Sequence, residues 1–141
     1  MTRLLAALLI GLCSTLSDAA FAQSGTYPNK PVRLIVPSPP GDGSDLMARA
    51  IGERLSQALG QPVVVDNRPG AGGRVGTEAA AKAAPDGYTL IMGNAGSHGI
   101  NSALYRDLGY DIERDFAAIT QVMRAPNVLV VNSALPAKNV T

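Results

Sequence analysis

The nine residues Pro37-Ser38-Pro39-Pro40-Gly41-Asp42-Gly43-Ser44-Asp45 have the composition of an anion site. Five of them are Pro or Gly, so the stretch is a loop and not the interior of a strand or helix. It follows the apolar run Val32 to Val36 and leads into a helix-like run from Asp45. A glycine-bearing loop at a helix start presents backbone N–H groups at the positive end of the helix dipole, which suits a negatively charged ligand. Two further small-residue loops follow, Asn67-Arg68-Pro69-Gly70-Ala71-Gly72-Gly73 and Asn94-Ala95-Gly96-Ser97-His98-Gly99.

Other chemistries fit these residues less well. Asp42 and Asp45 could form a carboxylate pair for acid–base work, but Asp45 is better explained as a helix-start residue that stabilises its own loop. His98 is the only histidine. No acidic partners are spaced to join it on a metal, so no metal and no cofactor is expected. A relay from Ser97 or Ser44 to His98 has suitable side chains but lacks the G-x-S-x-G elbow. The simpler role for His98 is a polar loop residue, and the next is a ligand-facing one. Gly70-Ala71-Gly72-Gly73-Arg74-Val75-Gly76 approximates a dinucleotide fingerprint, yet Val75 stands at the sixth position and Asn94, not an acid, follows the third strand. No GxxxxGK[ST] sequence occurs.

The 141 residues allow one domain at most. Met1-Thr2-Arg3, the apolar stretch Leu4 to Leu16 and Ala20-Phe21-Ala22 read as a signal peptide cut before Gln23. The apolar stretch is well short of the ~20 residues that span a bilayer. Leu12 precedes Cys13 where a lipoprotein site needs a small residue. The exported part then has no cysteine and must be held by packing alone. Arg3 and Asp18 both fall in the leader, so the balance stays at +1. With no basic run and few aromatics, nucleic acid is not an expected partner. No transmembrane segment is expected in the mature chain.

These loops need a scaffold, and the patterning supplies one. Val32 to Val36, Pro62 to Asp66 and Thr89 to Gly93 read as strands. Asp45 to Leu59 reads as a helix with Leu46, Met47, Ala50, Ile51, Leu55, Ala58 and Leu59 on one face. Ser44 is its expected N-cap, Gly60 its stop, and Asp45, Arg49 and Glu53 an exposed charge ladder. Val75 to Ala84 reads as a second helix, Pro85-Asp86-Gly87 as a turn, and Asn101 to Arg106 as one or two helical turns. Ala117 to Met123 and Asn127 to Val131 read as further strands. Strand, helix, strand, helix, strand implies parallel crossovers, with all three loops at the carboxyl edge of the sheet.

Several of these stretches carry a family resemblance. They are Tyr27-Pro28-x-Lys30-Pro31, the proline–glycine loop ending in Asp45, Ala48-Arg49, Gly60-Gln61-Pro62-Val63-Val64-Val65, Asn67 to Gly73, Pro85-Asp86-Gly87-Tyr88-Thr89-Leu90 and Asn101 to Tyr105. In this order they resemble the N-terminal part of the periplasmic substrate-binding proteins of tripartite tricarboxylate transporters, the Bug family. The resemblance covers nearly all of Tyr27 to Pro136.

The resemblance implies an α/β fold: a periplasmic-binding-protein-like first lobe of type II (Venus flytrap), mainly parallel sheet flanked by helices, truncated. It implies a signal peptide at 1–22, an N-terminal lobe at 23–124 and a crossover strand at 125–141 toward a second lobe that this chain lacks. The implied function is capture of a small carboxylate in the periplasm for membrane permease subunits, without catalysis. The implied ligand contacts are Ser38, Pro40, Gly41, Asp42, Gly43, Ser44 and Asp45, with Ala71, Gly72, Gly73, Ser97 and His98 lining the same cleft. Two positions depart from the family. Ser38 stands where a bulkier residue is frequent, and Asp42 where a second glycine is common; a carboxylate facing the cleft there would repel an anion. Two rival readings remain: a truncated fragment that binds nothing, and an exported serine hydrolase using Ser97 or Ser44 with His98.

Overall fold

The computed structural model describes residues 26–126 and 128–136. The leader, its Cys13 and the last five residues lie outside them. Strand β1 (Val32–Val36) forms where the sequence runs apolar and β-branched, and Val32, Ile35 and Val36 are fully buried. Strands β2 (Val63–Asn67) and β3 (Thr89–Ile91) flank it in the order β2-β1-β3. Both pairings are parallel, as the strand–helix alternation predicts, with Val32 opposite Val63 and Arg33 opposite Thr89. Buried Leu34 and Val36 meet Val63, Val65, Leu90 and Met92 on one face of this sheet.

Helix α1 (Gly43–Leu59) covers that face through Ala48. Its inner stripe differs from the expected one. The buried residues are Asp45, Ala48 and Gly52, at helical spacing, while Leu46 is 60% exposed and Ala50 and Ala58 are also exposed. Bulk explains the difference. A Cβ on Gly52 would sit 3.6 Å from Val63 Cγ1, so the helix lies close to the sheet on its small residues and its large ones flank the contact. Ser56 completes the seam. Its hydroxyl donates to Gly52 O (2.7 Å) and accepts from Val63 N–H (2.8 Å), joining α1 to the start of β2. Gly60 ends the helix in the left-handed region at φ 66°, as expected.

After β2 the chain makes a 3-10 turn (Ala71–Gly73) and enters α2 (Arg74–Ala81), which ends three residues earlier than the sequence suggests. Gly76 on α2 is packed against backbone: a Cβ there would lie 2.7 Å from Arg68 O and 2.9 Å from Pro37 Cα. The third loop is shorter than expected. A π-helical turn (Gly96–Ile100) runs directly into α3 (Asn101–Leu104), so residues read as loop are already helical.

The last two expected strands are not formed. Residues 117–126 and 128–131 carry no regular structure, and Ile119, Val128, Leu129 and Val130 are more than three-quarters exposed. A strand is stable only when a neighbour takes its backbone hydrogen bonds, and among the described residues none pairs with these segments. No helix among the described residues is long and apolar enough to cross a membrane.

Two glycine substitutions should separate the two kinds of packing. Gly52→Ala meets ordinary van der Waals contact and removes a flexible residue from a helix interior, so it should stabilise the fold by about 0.5–1 kcal/mol. Gly76→Ala meets backbone and should cost about 1–3 kcal/mol. Urea denaturation of both variants checks this; equal effects of the same sign would refute the close approach of α2.

Candidate functional site

The first loop is organised by two aspartates with different tasks. Asp42, not Ser44, is the N-cap of α1: its Oδ1 accepts from Asp45 N–H at 2.8 Å. The cap falls two residues earlier than expected because Gly43 and Ser44 take helical geometry themselves. Asp45 is not on the exposed side of α1, as the charge ladder implied, but 2% exposed. Its Oδ2 accepts from Gly41 N–H (2.8 Å) and Arg49 Nε (3.0 Å), and its Oδ1 from Asn67 Nδ2 (2.9 Å). Asn67 also donates to Ser38 O (3.3 Å) and accepts from Arg49 Nη2 (3.1 Å). The Arg49 guanidinium, then the Gly41 amide and Asn67, hold the Asp45 carboxyl down to about 2 against the usual 3.8. Asp45 therefore stabilises its own loop, as its position at the helix start suggests.

With Asp45 N–H taken by the cap and Leu46 N–H bonded to Asp42 O (3.0 Å), the amides of Gly43 and Ser44 keep no hydrogen bond among the described residues. Ser38, 7% exposed, has a buried hydroxyl that likewise finds no partner. Such an orphan is uncommon, since nearly all buried polar atoms are paired.

The second loop holds four consecutive residues at positive φ: Gly70, Ala71, Gly72 and Gly73. Ala71, at φ 47°, carries a strain of about 1–2 kcal/mol that a glycine would avoid. Gly73 is wedged between the other loops: a Cβ there would lie 3.2 Å from Pro37 O and 3.3 Å from Ser97 Cβ. Buried Asn101 ties this loop to α3, donating to Gly72 O at 3.1 Å.

In the third loop Ser97 is fully buried. It exchanges hydrogen bonds with Asn94, Ser97 N–H to Asn94 Oδ1 (3.0 Å) and Asn94 N–H to Ser97 Oγ (3.1 Å), while Tyr110 Oη donates to Ser97 O (2.6 Å). Ser97 Oγ also lies 2.9 Å from His98 Nδ1. The pair that a relay would need is therefore present, but the hydroxyl is enclosed and cannot meet a substrate. His98 rests on Gly93 with the Phe116 ring 5.1 Å away, edge-on. Burial pushes the imidazole below its usual range, so the ring is neutral at pH 7. No cluster of three His, Cys, Asp or Glu occurs among the described residues.

The three loops do gather at the carboxyl edge of the sheet. An open cavity of about 1050 Å³ there is lined by Ser44, Met47, Asn94, His98, Arg124 and neighbours. It receives Ser44 and His98 of the expected contacts. Pro40, Gly41, Gly43, Ala71 and Gly72 are exposed, and Asp42 is half-buried. Ser38, Asp45, Gly73 and Ser97 are buried beneath them. Asn67 and Asn101 were not singled out as single residues. Their side chains work across distances of 29 residues (Asn67 to Ser38, Asn101 to Gly72), which no local spacing reveals.

Comparison with known proteins completes the picture. Residues 47–141 match the model of the tripartite tricarboxylate transporter family receptor. Protein BugT of Bordetella pertussis is 43% identical over 136 residues, which is 96% of this chain and 41% of BugT. The chain thus spans about two fifths of the length of the curated relatives it matches. MatC of Rhodopseudomonas palustris, solved with bound malate, superposes at TM-score 0.61 with 41% identity, over 64% of this chain and 31% of that one. A second R. palustris protein, solved with adipate, gives TM-score 0.59 at 42% identity, over 62% and 29%. The three-stranded parallel sheet with its helices therefore matches part of a periplasmic-binding-protein fold.

The two aspartates can be separated by experiment. Asp42→Ala should cost about 1 kcal/mol and Asp42→Gly only a few tenths. For Asp45 the folded carboxyl is depressed, so its contribution is complete above about pH 4 and is lost as pH falls toward about 2. The melting temperature of Asp45→Asn should lie below that of the parent at neutral pH, and the gap should close across that window. A gap independent of pH would show that the ionised carboxylate is not what stabilises the loop.

Proposed function

The chain belongs to the tripartite tricarboxylate transporter receptor family, and from that premise we propose that it captures a small carboxylate in the periplasm for delivery to membrane permease subunits. The family is one of binding proteins, not enzymes. The observation that carries the ligand class is the pair of free amides at Gly43 and Ser44 at the start of α1; Ser38, buried beneath, would help to hold the loop. Both amides belong to a helix N-terminus, which favours an oxygen anion. Gly41, Ala71, Gly72 and His98 would complete the wall, Pro40 and Asp42 would border it, and Asp45, Gly73 and Ser97 would hold it in place. Asp42 acts as a cap in this reading, its Oδ1 turned to Asp45 N–H. Residues 1–22 would serve as the export signal, 23–124 as the lobe and 125–141 as the crossover. Malate and adipate, seen with the two relatives, set the size of ligand to try.

A single wall binds weakly. A helix N-terminus contributes roughly 0.3–2 kcal/mol to an anion, and a charge-assisted hydrogen bond roughly 1.5–3 kcal/mol. After ordering costs this leaves about 4 kcal/mol, a millimolar constant, where micromolar binding needs about 8 kcal/mol. Titrating the isotope-labelled chain with malate and adipate should shift the amide resonances of Gly43 and Ser44 with millimolar constants and leave Gly60 unmoved. Shifts scattered over the surface, or none, would sink the reading and favour a chain that binds nothing.

A further inference from the structure

The cavity beside α1 has one formally charged side chain in its lining. Ser44, Asn94, Thr120 and Gln121 supply polar groups, His98 is neutral at pH 7, and the rest of the lining is apolar or glycine; only Arg124 carries charge. Arg124 has no ion pair, no side-chain hydrogen bond and no aromatic partner among the described residues. The arginines nearer the first and second loops are already engaged: Arg49 with Asp45, Arg68 with Asp66 and Arg74 with Glu78. The carboxylates of the first loop are engaged too, Asp42 as the cap and Asp45 by its three donors. A free guanidinium thus shares an open cavity with Ser44, whose amide is free at the start of α1.

We propose that Arg124 is a specificity-determining residue: it pairs with a second anionic group of a ligand whose first carboxylate sits at the Gly43 and Ser44 amides. The inference rests on the carboxylate reading given above and adds to it which side chain discriminates among carboxylates. Met47, Met92 and Met123 also line this cavity. Unbranched thioether side chains adapt to different apolar bodies, so they would tolerate varied carbon chains while Arg124 selects for the charged far end. Arginine suits the task because its planar fork binds a carboxylate through two parallel hydrogen bonds, which a point charge cannot match.

The test compares two six-carbon acids, adipate and hexanoate, which differ in the second carboxylate. Amide shifts of Gly43 and Ser44 report the first carboxylate for both. The parent chain should prefer adipate by about tenfold, the effect of one charge-assisted contact. Arg124→Gln should reduce the preference to within about twofold without weakening hexanoate, and Arg124→Lys should keep part of it. Arg124 is exposed, so these variants should melt with the parent. An unchanged preference in Arg124→Gln, or no preference in the parent, overturns the role of Arg124 while the carboxylate reading stands. If neither acid shifts Gly43 and Ser44, the carboxylate reading fails and this inference with it.

Discussion

The Asp45 carboxylate is the joint on which the rest of the site depends. It stands at the start of α1 and draws in three donors from three places: the Gly41 amide in the loop, Arg49 one helical turn on, and Asn67 at the end of β2. A buried carboxylate with one oxygen unpaired would be costly, and here both oxygens are satisfied. The loop cannot open without uncovering it. Asp42 acts alongside, closing Asp45 N–H so that only the first two amides of the helix stay open. The free amides of Gly43 and Ser44 are thus what the two aspartates leave over when their own hydrogen bonds are complete.

The remaining loops are positioned by contact and not by charge. Gly73 separates Pro37 from Ser97 with no room for a side chain, so the three strand–helix connections lie in direct van der Waals contact. Asn101 reaches back to Gly72 and Tyr110 to Ser97, fixing the second and third loops from behind. The strain at Ala71 is tolerated because its neighbours are glycines that give the chain its unusual path. Small residues recur wherever two elements approach, in α1 at Ala48 and Gly52 as much as in the loops.

That recurrence explains what was and was not legible in the sequence. Strand positions were, because β1 to β3 are short runs of branched apolar residues between turn signals, and β2 and β3 differ from expectation only at their ends. The parallel sheet and the gathering of loops followed from element order. The inner face of α1 was not, because a hydrophobic count favours Leu46 and Ala50 while close packing favoured Ala48 and Gly52. The cap was misplaced for a related reason: Ser44 and Asp42 are both good caps, and only the geometry of Gly43 decides between them. The strands expected at 117–131 have the right residues, but a strand also needs a neighbour. Within the loops, Asn67 and Asn101 act over separations of 29 residues, which no local spacing reveals.

Charge balance gives the site its remaining logic. The chain is close to neutral, with +1 overall, so no broad field draws an anion to the carboxyl edge. Selectivity must come from short-range groups, and these divide into two kinds. In the proposed reading the backbone amides at α1 would donate to any carboxylate, since they meet one oxygen anion and not the body that carries it. Side chains of the cavity lining would meet the remainder. A neutral His98 lines the cavity without adding a charge. The proposed reading thus separates an anchor, built into the fold by Asp42 and Asp45, from cavity side chains that lie outside their hydrogen bonds. Arg124 is exposed and outside every regular element, so it can be replaced at small cost in stability, as the proposed role in choosing a ligand would require.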